Sequence, residues 1–191
     1  VDGTGTLTID DVTSNELNSE FIESSSETFS FGYTHSAYWF RFTVQSPETI
    51  CTRDAWYLEV DSYLDDLRLY SPADLGGWNL QRMSRWEPYE SREVPHRSLV
   101  FRLKLPPPGQ AQTFYLRAQS AASTLVPLVL YSPEAFLESE RDKNFIWGMM
   151  LGVVFVMFFY NLVFYLIVRD ISYAFYLGFI GCYSLFQFIM H

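Results

Sequence analysis

An uncharged, strongly apolar run at residues 144–168 is the feature that most constrains how this chain can fold. Its 25 residues contain no Lys, Arg, Asp or Glu. As a helix rising about 1.5 Å per residue it extends roughly 37 Å, enough to cross a hydrocarbon layer of about 30 Å. Helices of soluble proteins are rarely this long without a charge. We therefore predict a first transmembrane helix at about 145–168.

A second apolar run follows after only two polar residues. Arg169 and Asp170 form a short turn, and residues 171–190 again carry no charge. We expect Asp170 or Ser172 to cap the second helix by accepting hydrogen bonds from its first free N–H groups. Two adjacent spans predict a polytopic protein whose partner is the lipid bilayer. Because the sequence stops at His191 beside an apolar run, we expect it to be a fragment of a longer protein.

The first span carries two features that indicate contact with another helix. Gly148 and Gly152 form a GxxxG motif, which lets a neighbouring helix approach closely. The motif leaves two neighbours open: another helix of the same bundle, or a second copy of the chain in a homodimer. Asn161, in the middle of the span, is expected to face protein rather than lipid.

The charges of the chain are segregated into residues 1–143. Arg169 and Asp170 cancel, so this part carries the whole net charge of −9. Such acidity argues against nucleic acid or anionic headgroups as the main partner. Cys51 and Cys182 lie in chemically different regions, and we expect no disulfide between them. We predict two domains, at residues 1–143 and 144–191.

Short stretches of alternating apolar and polar residues fill most of the first domain. The first of them places Phe40 and Phe42 on one face and Trp39 and Arg41 on the other. The predicted strands are 38–44, 56–60, 67–70, 101–105, 114–118 and 125–131. Residues 14–30 are predicted to be a surface excursion, and residues 133–141 a short helix. Many short strands separated by turns predict an all-β jelly-roll or β-sandwich domain followed by transmembrane α-helices.

The polar positions of these strands carry aromatic rings and ionisable groups. The candidate ligand-binding residues are Trp39, Arg41, Asp66, Arg68, Tyr70, Tyr115 and Arg117. Ring faces contact the C–H patches of sugars, while guanidinium and carboxylate groups bond to hydroxyls. If the strands share one sheet, these residues line a platform for a saccharide-like ligand. A structural role stays open for each, such as an ion pair between an arginine and Glu59 or Asp66.

No pattern in the chain indicates catalysis. His35, His96 and His191 lack zinc-site spacing. Asp65 and Asp66 are adjacent, and adjacent strand residues point to opposite faces, which prevents shared acid–base work. Nucleophile and phosphate-loop motifs are not present. We expect a non-catalytic region that holds no metal and no cofactor.

Residues 32–42, GYTHSAYWFRF, resemble the GYxxSxYWxRF-type opening of the type-2 extracellular domain of seven-transmembrane receptors with diverse intracellular signalling modules. Further matches follow in order at 56–60, 63–70, 97–105, 114–117, 127–128 and 160–170. The resemblance implies an outer domain similar to carbohydrate-binding jelly rolls, lying in the periplasm of a bacterial inner membrane. It also implies about five further helices and a cytoplasmic output, such as the histidine kinase of a two-component system or a diguanylate cyclase.

The predicted function is therefore sensory. The first domain binds a small extracellular ligand, and residues 132–143 transmit its presence into the first membrane helix. Two other classes stay open. One is a protein–protein interaction module of a membrane complex without a small ligand, and the other is a transporter or channel with an accessory outer domain.

Overall fold

A computed structural model describes residues 1–24, 28–46, 55–73 and 76–190 of the chain. Two of the residues considered above, Cys51 and His191, lie outside the described residues. The chain divides into two compact units, Val1–Phe136 and Leu137–His191. Each is described separately below.

The first unit is built mainly from short antiparallel strands. These are β1 (Thr28–Tyr33), β2 (Tyr38–Gln45), β3 (Trp56–Val60), β4 (Asp66–Pro72), β5 (Trp78–Met83), β6 (Leu99–Leu103), β7 (Ala111–Gln119), β8 (Ser123–Pro127) and β9 (Val129–Tyr131). They form three sheets in the orders β1-β8, β2-β7-β4-β5 and β6-β3-β9. The sandwich-like all-β domain predicted from the sequence is confirmed. For five of the six predicted strands, both ends lie within three residues of the ends of an observed strand.

The core gathers buried apolar side chains from strands of all three sheets. Its buried members are Leu58, Val60, Leu64, Leu67, Leu69, Met83, Leu99, Phe101, Leu103, Phe114, Leu116, Ala118 and Val126. Phe40, Phe42 and Val44 of β2 pack against this cluster. The apolar phase predicted for β2 is therefore the phase that faces the core.

The described residues of the segment 14–30 are exposed or half-buried throughout, as a surface excursion requires, and they include a helical turn and the start of β1. Two other details of the sequence prediction were wrong. Strand β5 was missed because Gln81 and Arg82 place polar groups in both phases of its alternation. The single strand predicted at 125–131 is two strands, because β8 pairs with β1 whereas β9 pairs with β3, and the ladder breaks at Leu128 between them.

The N-terminal segment is ordered by local hydrogen bonds. Helix α1 (Ile9–Thr13) begins with a capping box, in which Thr8 and Asp11 satisfy each other's backbone N–H groups. Helix α2 (Asn15–Asn18) follows directly. Asp2 forms a backbone bridge with Ala37, and its carboxylate accepts hydrogen bonds from the backbone N–H groups of three nearby residues, Thr4, Gly5 and Leu7. Burial raises the pKa of Asp2, but these hydrogen bonds outweigh that effect and hold the pKa below its usual value.

The second unit is helical. Helix α3 runs over Pro133–Val168 and helix α4 over Ile171–Met190, and both are long and apolar enough to cross a membrane. The short helix predicted at 133–141 and the first predicted span are thus one continuous helix. Proline suits its first position, where no N–H partner is needed. Between the helices, Asp170 Oδ1 accepts from the Ser172 N–H at 2.8 Å, the cap that the sequence predicted.

The helical unit leaves its small residues uncovered. Apart from its chain neighbours and the nearby backbone of its own helix, a Cβ atom added at Gly148 or Gly152 meets no described atom within 4 Å. Asn161 is buried, and its amide donates to the Met157 carbonyl of the same helix at 2.7 Å. Within the described chain, the GxxxG surface is therefore open to a further helix.

Candidate functional site

The four-stranded sheet carries all seven candidate residues on the face that points away from the core. Two cross-strand rows run over β2, β7 and β4 in register: Trp39–Arg117–Arg68 and Arg41–Tyr115–Tyr70. Asp66 lies on the same face, at the start of β4. The sequence placed these side chains together only on the condition that their strands share a sheet. The structure meets that condition.

The N-terminal segment covers this outer face. Val12 of α1 packs against Tyr70 and Tyr115. Phe21 meets the Tyr115 ring edge-on, with centroids 6.1 Å apart, and the Arg41 guanidinium lies 4.7 Å from the centroid of the Phe21 ring. As a result Tyr70 and Tyr115 are only 7% and 6% exposed. The face is a covered interface rather than an open platform.

An ion cluster centred on Asp66 engages the arginines of the face. The Asp66 carboxylate lies 2.8 Å from Arg68 Nε, 2.9 Å from Arg117 Nη1 and 2.6 Å from Arg82 Nε. Arg117, only 4% exposed, also donates to the Gly5 carbonyl of the N-terminal segment at 2.9 Å. Arg68 and Arg117 therefore form ion pairs with Asp66, which is the structural role that the sequence left open for them. The sequence did not indicate Arg82 as a partner of Asp66, because strand β5 was not predicted.

Asp65 belongs to a different network. Its carboxylate accepts from the Ala121 N–H at 2.7 Å, the Ser120 hydroxyl at 3.1 Å and the Trp86 indole at 3.0 Å. The Ala121 N–H is the main cause that lowers the pKa of Asp65, and burial opposes it. Asp65 and Asp66 thus hold separate parts of the fold, so they do not form a shared carboxylate pair.

A cavity of about 380 Å³ lies between the N-terminal segment and strands β1 and β2. We call it the Trp39 cavity. Its apolar walls include Leu7, Val12, Phe21, Phe31, Tyr38 and Trp39, and Glu20, Glu23 and Ser24 contribute polar groups to the lining. The Trp39 ring stacks on Tyr70 with centroids 5.5 Å apart, which fixes its orientation.

The indole N–H of Trp39 is buried and has no hydrogen-bond acceptor among the described residues. Buried donors in folded proteins are nearly always partnered, so an unpaired one beside a cavity is notable. Of the seven candidates, Trp39 is the one that lines this cavity. Arg41 is directed elsewhere, donating to the backbone and side-chain oxygens of Asn18.

The sequence did not indicate which residues of the N-terminal segment close the cavity. Phe21 lies in the Ser/Glu-rich stretch that was predicted to be a surface excursion. Its only sequence signal is the apolar pair Phe21-Ile22 among polar neighbours. Both residues line the cavity, but Phe21 is half-buried whereas Ile22 is 92% exposed. A single pair without periodicity does not indicate which surface it contacts.

Comparison with known families gives the context of this site. The model of the family described as 7TMR-DISM extracellular 2 matches residues 1–132, and that of the family described as 7TM diverse intracellular signalling matches residues 143–191. No curated protein matches the chain. The first match covers more than half of the sequence, and the second begins in α3. The chain therefore belongs to the 7TMR-DISM receptors, with an outward-facing extracellular sensory domain of the second type followed by membrane-spanning helices of a signalling protein.

Proposed function

We propose that the sensory domain binds a small, saccharide-like extracellular ligand in the Trp39 cavity and signals its presence through α3. The observation that carries this proposal is the buried Trp39 N–H, which has no described acceptor and lies beside a cavity of about 380 Å³. A ligand hydroxyl or ring oxygen supplies the missing acceptor. The cavity volume falls within the range of about 300–1,000 Å³ typical of small-molecule sites.

The lining of the cavity supports a ligand with both apolar and hydroxylated faces. Phe21, Tyr38 and Trp39 offer ring faces for C–H contacts. Glu20 and Glu23 supply carboxylate acceptors for hydroxyl groups. The N-terminal segment forms one wall of the cavity and strands β1 and β2 form the other, and both walls belong to the first unit. Ligand occupancy therefore acts on the contacts that hold this segment to the sheet.

The first turn of α3 offers the route by which the domain reaches the membrane. Phe136 is 8% exposed and stacks on Tyr57 of β3, with centroids 4.8 Å apart. It also contacts Tyr131 of β9 and His96. The helix then continues without a break to Val168. Such a connection favours direct mechanical linkage over a flexible linker, provided that ligand binding biases a two-state element.

The remainder of the proposal concerns the whole receptor. We place it in a bacterial inner membrane, with the sensory domain in the periplasm. The part described is non-catalytic, and further helices connect it to a cytoplasmic output such as a histidine kinase or a diguanylate cyclase. The open surface at Gly148 and Gly152 accepts one of those helices or a second copy in a homodimer.

Calorimetric titration tests the ligand site. The 191-residue chain in lipid nanodiscs is titrated with glucose, galactose, N-acetylglucosamine, maltose and cellobiose. We expect saturable binding of at least one of them. Trp39→Phe should weaken it about tenfold, because the ring stays but the N–H is lost. Trp39→Ala should abolish it, because the stacking surface is lost as well.

Trp86→Phe is the matched control. It removes another indole N–H, which bonds to Asp65 outside the cavity. The control should leave saccharide affinity unchanged. Absence of binding by all five sugars, or equal affinity for wild type and both Trp39 variants, contradicts the proposal.

A protein-interaction module is the second candidate. It is favoured by the exposed rings of Tyr63 and Trp86, which are 74% and 73% exposed. They lie on loops joined by a hydrogen bond from the Arg85 N–H to the Leu64 carbonyl. If the domain recognises a protein here, Tyr63→Ala and Trp86→Ala should abolish signalling, while Trp39→Phe should not affect it.

A further inference from the structure

An open groove of about 610 Å³ lies at one end of the sandwich, where the four-stranded sheet separates from β6. Strands β4, β5 and β7 form one wall, and β6 with the residues that follow it forms the other. Gln81 of β5 bridges the walls by donating to the Arg102 backbone oxygen at 3.4 Å. This end groove shares no lining residue with the Trp39 cavity.

The inward face of the sheet changes from apolar to polar where it reaches the groove. The polar residues are Ser71 on β4, Asn79 and Gln81 on β5, and Gln112 on β7. On each of these strands, the other inward positions belong to the apolar core. Alternation alone would continue with apolar residues. These four strand residues present a hydroxyl and three amides, each able to both donate and accept hydrogen bonds.

Two cations complete the lining. Arg102 and Lys104 lie two residues apart, and both are exposed. Neither forms an ion pair with any carboxylate of the described chain. Among the described residues, no acidic side chain lines the groove, although Glu93 borders it by accepting from Gln81 Nε2 at 3.3 Å. The groove thus carries two exposed cations in a chain whose net charge is −9.

We propose that the end groove binds a hydroxylated small molecule that carries one carboxylate, which is the chemistry of a sugar acid. Arg102 and Lys104 face the carboxylate in charge-assisted hydrogen bonds. The amides and Ser71 bind the hydroxyls, and Leu103 and Leu105 contact the C–H surface. The site uses none of the residues of the Trp39 cavity, so it holds or fails independently of the function proposed above.

Titration calorimetry with the 191-residue chain in zwitterionic nanodiscs tests this site. The probes are the sodium salts of glucuronate, galacturonate and gluconate, with glucose as the uncharged comparison. We expect at least one acid to bind saturably, about tenfold or more tighter than glucose, with affinity that falls as salt is added. The double variant Arg102→Gln/Lys104→Gln should raise its Kd about tenfold or more.

Two control variants separate this site from the alternatives. Arg141→Gln removes an exposed guanidinium outside the groove and should leave the Kd unchanged. Trp39→Phe should also leave the affinity for the acid unchanged. The proposal is overturned if none of the three acids binds. It is also overturned if the double variant binds as wild type does, if Arg141→Gln weakens binding equally, or if Trp39→Phe weakens binding.

Discussion

The two faces of the four-stranded sheet are closed in different ways. The core part of the inner face buries Leu69, Phe114 and Leu116 in an apolar cluster with residues of the other sheets. The outer face alternates rings with arginines and is closed by the N-terminal segment. Its anchors include the Asp66 cluster and the bond from Arg117 to the Gly5 carbonyl. Apolar burial is non-directional, whereas these polar anchors depend on charge and geometry.

This difference shows where a ligand can act. Opening the inner face exposes the core and unfolds the domain. Lifting the outer cover breaks fewer contacts, so local opening costs less free energy than global unfolding. The Trp39 cavity lies under the N-terminal segment at the β2 edge of the sheet, so the candidate site adjoins the cover that can open without loss of the fold.

The largest expected effect is on the inner face. Phe114 is 1% exposed and stacks on Phe42, with centroids 5.5 Å apart. Phe114→Ala should lower the free energy of unfolding by about 3–5 kcal/mol, because it removes a buried ring and leaves a cavity. Urea unfolding followed by tryptophan fluorescence measures this. Leu80→Ala, at a 52% exposed position of the outer face, is the control and should cost under about 1 kcal/mol. Equal losses in the two variants would remove the distinction between the faces.

The next effect concerns the polar anchor of the outer face. Asp66→Ala should cost about 3 kcal/mol, because it leaves the buried guanidinium of Arg117 without its carboxylate. Because Arg117 is buried, added salt should change this loss only slightly. Arg82→Ala removes the most exposed partner of the same carboxylate and should cost under about 1 kcal/mol. Urea unfolding curves measure both variants, and an Asp66→Ala loss no larger than the Arg82→Ala loss would contradict the role of Asp66 as the anchor of Arg117.

A smaller effect is expected from loosening the cover itself. Phe21→Ala removes the ring that meets Tyr115 and lies under the Arg41 guanidinium. We expect a cost of about 1–2 kcal/mol from lost apolar contact and the cation–π interaction. Hydrogen–deuterium exchange should quicken in residues 7–21, while β3, β6 and β7 keep their protection. Faster exchange throughout the core strands would show that the cover and the core are one cooperative unit.

The sequence predicted the sheet faces better than it predicted their covers. Strict alternation at Trp39, Phe40 and Arg41 determines which side chains share a face, because the strand period is two. What lies over a face depends on distant residues such as Phe21, whose segment shows no periodicity. The same limit applies to the Asp66 cluster, since the partner Arg82 lies on β5, where polar residues occupy both phases. Local pattern therefore located the candidate residues but not their contacts.

The smallest effect is the response of the cover to acid. The lowered pKa of Asp2 means that its ionised form is stabilised in the fold, chiefly by hydrogen bonds that outweigh burial. Its contribution is fully present above the unfolded-state pKa of about 3.9 and is lost as pH falls through the lower folded value. Wild type should therefore lose stability below about pH 4 more steeply than Asp2→Asn, by about 1 kcal/mol at most. Urea unfolding between pH 6 and pH 3 measures the difference. Parallel pH profiles would show that the Asp2 carboxylate does not hold the segment that closes the outer face.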